Sequence, residues 1–285
     1  MSSHKPSKLF CVLEQGKYID HPITLQKIEL FNDDQCDFYR FNWKTDDDQN
    51  ANWTPKDCNG KLLRFSEGRN LLFDKVPKQY QYYIFMDEDV VVKTYPEEDN
   101  NKGAILDRLS TFLLEWNPIG ATVYTRNITW GTDDKLLNFM HANKRPVRCR
   151  RHDACIGILK EEYAKIVYPI QYTGSDWSTT YQQYLVRKLY PEKYLFCPGL
   201  FAINSIEEQH HHVDDRQQNW TQSVANSFNE NLYEKDYIEY LKNNQILLAS
   251  DFNELPNKKS LNITIDSIQK VYNVTNGFIQ SRKYI

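Results

Sequence analysis

The stretch QYYIFMDEDVVV, Gln81–Val92, limits what this chain can fold into more than any other. Its apolar lead-in, Tyr82 to Met86, has the aromatic and β-branched character of a buried strand. Three acids follow, Asp87, Glu88 and Asp89, and then three valines. An ionised carboxylate loses so much hydration on burial that it needs a counter-charge or hydrogen bonds. A strand ending in three of them must therefore deliver them to a sheet edge, a ligand or a cation. Strand alternation places Asp87 and Asp89 on one side and Glu88 on the other.

The flanking sequence reads as alternating strands and helices, which predicts an α/β layer architecture. KLFCVLEQ (Lys8–Gln15) reads as a first strand, DFYRFNW (Asp37–Trp43) as a second, and Gln81–Val92 as a third. ITLQKIELFN, EGRNLLFDKV and AILDRLSTFLLEW have helical apolar spacing. IGATVYT, ACIGIL and YLFCPGLFAIN read as further strands, with helices over KEEYAKIVYP and SDWSTTYQQYLVRKLYP. Beyond Asn204 the chain turns polar. Residues 1–212 are read as the principal α/β unit. Residues 213–285 are read as a C-terminal extension packed on the same domain.

Composition excludes several functions. A net charge of -3 argues against a dedicated nucleic-acid binder, which needs a basic surface to neutralise phosphates. No stretch approaches the roughly 20 apolar residues of a spanning helix, and the short apolar run near the N-terminus does not read as a secretory signal. The six cysteines are scattered without a CxxC pair, so reduced, buried thiols are expected. GxGxxG, GxxxxGK[ST] and GxSxG are all missing, which removes the main support for dinucleotide-binding, P-loop and nucleophile-elbow readings.

At a strand's carboxyl edge in an α/β sheet, Asp87 and Asp89 would face the crevice where ligands bind. Paired carboxylates repel unless a cation neutralises them, and hard divalent ions prefer such oxygen ligands. In this setting YYIFMDEDVVV, preceded by two strands, resembles the DxD motif of GT-A-fold, nucleotide-sugar-dependent glycosyltransferases. The resemblance implies a Rossmann-type α/β/α sandwich with a mixed sheet, with a nucleotide-binding half over about residues 1–92 and an acceptor half over about residues 93–212. It also implies a bound Mn2+ or Mg2+ and a nucleoside-diphosphate sugar, a UDP-sugar being favoured. Asp87 would approach the ribose or the metal, and Asp89 would ligate the metal. The signal-free chain is similar to the small stand-alone glycosyltransferases of large DNA viruses, including the chloroviruses. A cytoplasmic location, the host cytoplasm for a viral protein, goes with that likeness.

Companion residues follow in the order the family implies. SEGRNLLFDK places Arg69 as a basic contact near the nucleotide. GSDWSTT places Asp176 at a helix start, where an inverting enzyme sets the base that deprotonates the acceptor hydroxyl. Ser175 and Asp176 are equally natural N-cap residues for that helix. EEQHHHVDD offers His210, His211 and His212, of which one or two, with His210 and His212 as candidates, would complete the metal shell. Imidazole suits Mn2+ better than Mg2+. RRHDACIGIL and the Trp after Asp176 supply Asp153 and Trp177 as contacts to a glycan or glycoprotein acceptor.

Two other readings compete. An apolar strand followed by DxD also fits a haloacid-dehalogenase-like phosphatase, with Asp87 as nucleophile, although that strand normally opens its domain. A non-catalytic carbohydrate-binding protein with a degenerate site is the other alternative.

Overall fold

A computed structural model of the chain describes residues 8–60, 63, 65–97, 102–126, 135–149, 155–169 and 193–204. In these the chain forms strands β1 (Lys8–Gly16), β2 (Cys36–Asn42), β3 (Tyr80–Asp87), β4 (Val90–Thr94), β5 (Gly120–Arg126), β6 (Val147–Arg148), β7 (Ile156–Lys160) and β8 (Tyr194–Asn204). The helices are α1 (Pro22–Phe31), α2 (Phe65–Lys75), α3 (Lys102–Trp116), α4 (Lys135–Asn143) and α5 (Glu161–Val167). The expected helix over SDWSTTYQQYLVRKLYP and the extension beyond residue 212 lie outside the described residues.

The eight strands make one sheet in the order β2-β1-β3-β7-β5-β8-β4, with β6 on β8. Strands β2, β1 and β3 are parallel neighbours, while β7 runs against both β3 and β5. β5 and β8 run parallel, and β4 and β6 run against β8. The sheet is therefore mixed, as the α/β reading expects.

Apolar side chains of the central strands project from both faces, so helices cover both. Phe10, Val12, Ile84 and Ile158 meet Phe31 of α1 and Leu109, Phe112 and Leu113 of α3. On the opposite face Cys11, Leu13, Tyr83 and Phe85 meet Leu72 and Phe73 of α2, Met140 of α4 and Tyr163 of α5. In α3 the buried positions 105, 106, 109, 112, 113 and 116 follow the three-and-four spacing of a one-sided helix. None of the six cysteines is in a disulfide, and all but Cys58 are buried.

The third strand departs from the expectation. Gln81–Val92 is not continuous, because β3 ends at Asp87 and β4 begins at Val90 on the far edge of the sheet. Three residue steps span at most about 11 Å. Four strand spacings across a flat sheet would be about 19 Å. The sheet must curl to bring the two ends together. β8 takes up much of that curl: Phe196 pairs with Thr122 and Phe201 with Tyr124, so six residues of β8 lie opposite three of β5. Gly199, at φ 74°, turns the bulge, and Arg108 from α3 donates to the Gly199 and Tyr95 carbonyls at 2.9 and 2.8 Å. On its other edge β8 carries β6 before this bend and β4 after it.

Ile158 on β7, 1% exposed, fills the space between the sheet and α3. Ile158→Ala is expected to cost about 2–5 kcal/mol in urea denaturation, the range for a truncated core aliphatic.

Candidate functional site

The carboxyl ends of β1, β2 and β3 lie side by side, with Gln15 in register with both Phe41 and Asp87. Here the three acids separate. Asp87 and Asp89 are half-buried, and Glu88 is buried. The alternation read from the sequence thus holds for burial, although a turn rather than a strand produces it.

Asp87 belongs to the α2 face of the sheet. Arg69 Nη2 donates to its Oδ1 at 2.9 Å. The Arg69 side chain is 1% exposed, with its guanidinium 4.4 Å over the Phe65 ring. Tyr168 stacks on Phe85 at 4.4 Å nearby, and burial pushes its phenol well up while Arg69 pulls the other way. The arginine expected to contact a nucleotide is therefore placed under the site, directly on a carboxylate. Gly68 eases this: a Cβ there would stand 2.8 Å from the Gln15 side-chain amide, which would have to move aside.

Glu88 turns to the opposite face. Its Oε2 accepts from the amides of Lys17 at 2.8 Å and Tyr18 at 3.1 Å, with Arg40 Nη2 at 3.5 Å. Burial pushes its carboxyl above the usual range, against the pull of those two amides and of Arg40. A Cβ on Gly16 would lie 2.8 Å from Glu88 Cβ, so a glycine ends β1.

Behind Glu88 lies a buried charged cluster. Glu14 ion-pairs with both Lys27 and Arg40 and accepts from Thr24 Oγ1 at 2.8 Å. Arg40 also donates to Asp48 Oδ2 at 3.0 Å and to the Tyr18 carbonyl at 2.6 Å. Burial opposes the Arg40 charge, but Glu14 and Asp48 outweigh it and hold the guanidinium above its ordinary value. Asp48 accepts from Asn42 Nδ2 at 2.8 Å as well. Burial pushes the Asp48 carboxyl up, yet the Asn42 and Arg40 hydrogen bonds prevail and lower it.

Two described residues of neighbouring strands reach the turn. Cys155, two residues after Asp153, accepts the Asp87 amide at 2.9 Å. Asn204, the last described residue of β8, is paired with Val90. Asp153, Asp176, Trp177, His210, His211 and His212 themselves lie outside the described residues. Among the described residues no group of three or more His, Cys, Asp or Glu gathers as a metal site. Also among them, no helix is long and apolar enough to cross a membrane. A groove of about 310 Å³ between α1 and β4 is lined by Ile23, Leu30, Val91 and Ile105 and does not include the two aspartates.

Sequence reasoning missed the cluster of Glu14, Lys27, Arg40 and Asp48. For Glu14, Lys27 and Arg40 the only signal was charge inside elements that otherwise read as core, and Asp48 sits in the polar loop after β2. No family model matches the chain, and no curated protein matches it.

Asp48→Asn removes a buried partner of Arg40 and is expected to cost about 3–5 kcal/mol near neutral pH. Because folding lowers the Asp48 pKa, its stabilisation is present above the ordinary value of 3.8 and is lost as pH falls through the folded value. Urea denaturation across that range should show the gap between the variant and the unaltered protein narrowing toward acid.

Proposed function

We propose that this chain is a metal-dependent glycosyltransferase of the GT-A type. It would move a sugar from a nucleoside-diphosphate sugar, a UDP-sugar by preference, to a hydroxyl of a glycan or glycoprotein. The observation that carries the reading is the division of labour in the three-acid turn. Two half-buried carboxylates, Asp87 and Asp89, stand at the carboxyl end of parallel strands, where α/β sheets bind ligands. Between them Glu88 is spent on structure.

The donor set suits a hard divalent ion. Two carboxylates two residues apart leave coordination positions for water and phosphate oxygens. Arg69 holds Asp87 in one orientation from beneath. A divalent ion bound there, Mn2+ in preference to Mg2+, would supply Lewis-acid stabilisation for charge developing on the diphosphate. Asp176 is assigned the acceptor proton, which makes the reaction inverting. Asp153 and Trp177 are assigned to the acceptor, and His210 and His212 to the metal shell. The segments bearing Asp153 and the histidines join the described fold at Cys155 and Asn204, both beside the turn.

The phosphatase alternative requires Asp87 as nucleophile. An oxygen engaged by a buried guanidinium is a weaker nucleophile, and β3 is preceded by two strands. Both features favour the transferase.

A thermal-shift screen of UDP-, GDP- and CMP-sugars with and without Mn2+ tests the reading. A UDP-sugar is expected to raise Tm only with Mn2+, by about 2.7 kcal/mol of stabilisation at 100 times Kd. Asp89→Ala should abolish the shift. Metal-dependent stabilisation by none of the donors would overturn the proposal.

A further inference from the structure

The ammonium of Lys27 ends on the backbone of the three-acid turn. It donates to the Asp87 carbonyl at 2.8 Å and the Glu88 carbonyl at 2.9 Å, and it ion-pairs with Glu14. An ammonium has three N–H donors, so these three oxygens use all of them. The side chain is 3% exposed.

The geometry is unusual for a strand. Successive carbonyls of an extended chain point to opposite edges, whereas here two consecutive carbonyls converge on one cation. That convergence falls where β3 ends, at Asp87. The side chains of Asp87 and Asp89 are left half-exposed while Glu88 is buried. Glu14 supplies the counter-charge to Lys27. The tether is thus close to neutral as a pair and imposes little like-charge cost on a cation arriving at the two aspartates.

We infer that Lys27 is a positioning residue: by clamping the Asp87 and Glu88 carbonyls, it sets the spacing at which Asp87 and Asp89 receive a divalent cation. This rests on the assignment of those aspartates as metal ligands in the transferase reading.

The test is direct Mn2+ titration of the full chain, following free Mn2+ by electron paramagnetic resonance, alongside thermal denaturation without metal. Lys27→Met should weaken Mn2+ binding about 10- to 100-fold, as loss of an outer-shell partner does. It should also lower Tm, because Glu14 is left with one fewer counter-charge. Lys27→Met combined with Glu14→Gln removes the uncompensated charge, Arg40 keeping Asp48 as its buried partner, and should regain part of the lost Tm while Mn2+ binding stays weak. Recovery of Mn2+ affinity together with Tm, or unchanged affinity in folded Lys27→Met, would overturn the inference. If the unaltered protein binds no Mn2+, the transferase reading falls and this inference with it. Binding that Asp89→Ala abolishes upholds that reading whatever the Lys27 variants do.

Discussion

A fully buried carboxylate, Glu14, is the contact on which the carboxyl end of this sheet depends. It sits on the second strand position of the sheet order and gathers a cation from each side, Arg40 from β2 and Lys27 from α1. Each cation then reaches further: Arg40 to Asp48, Glu88 and the Tyr18 carbonyl, and Lys27 to the turn after β3. Desolvation consumes most of the Coulomb energy of such groups, so the cluster adds little net stability. What it does is fix directions. A hydrophobic replacement of equal volume could fill the same space, but it could not orient two carbonyls, two loop amides and a guanidinium at once.

The two faces of the sheet meet this requirement differently. On the α1 face, charges are compensated within the closed cluster around Glu14. On the α2 face, a single pair, Arg69 and Asp87, stands at the edge of an aromatic core containing Phe73, Phe85 and Tyr168. The carboxylate turn crosses between these environments within three residues. Its half-buried aspartates are supported by an apolar wall on one side and by buried charge on the other.

Much of the fold was legible because its elements carry one strong period. β1, β8 and α3 have apolar patterns that admit a single reading, and they fall within a few residues of expectation. α4 was passed over because its nine residues give a short window, in which Leu136, Leu137 and Met140 pack on the core while the equally apolar Phe139 is exposed. The break after Asp87 was hidden by the valines that follow, which suit β4 as well as they would have suited a longer β3. Lys27, sixty residues earlier in the chain, donates to the two carbonyls at the break, and no local pattern reveals a contact at that separation. The half-exposed pair at 87 and 89 was legible from alternation alone. The position of Arg69 under Asp87 was not, since it depends on how closely α2 approaches β1 beside Gly68.

The two-residue passage from β3 to β4 carries a further consequence. It links strands four places apart in the sheet order through Glu88 and Asp89 alone. Loops elsewhere can lengthen or shorten over evolutionary time with only local effect. An insertion here would release the curl of the whole sheet and part the two aspartates from the supports beneath them. The residues offered for chemistry are thus also the clasp that closes the architecture, and their spacing is tied to the shape of the sheet.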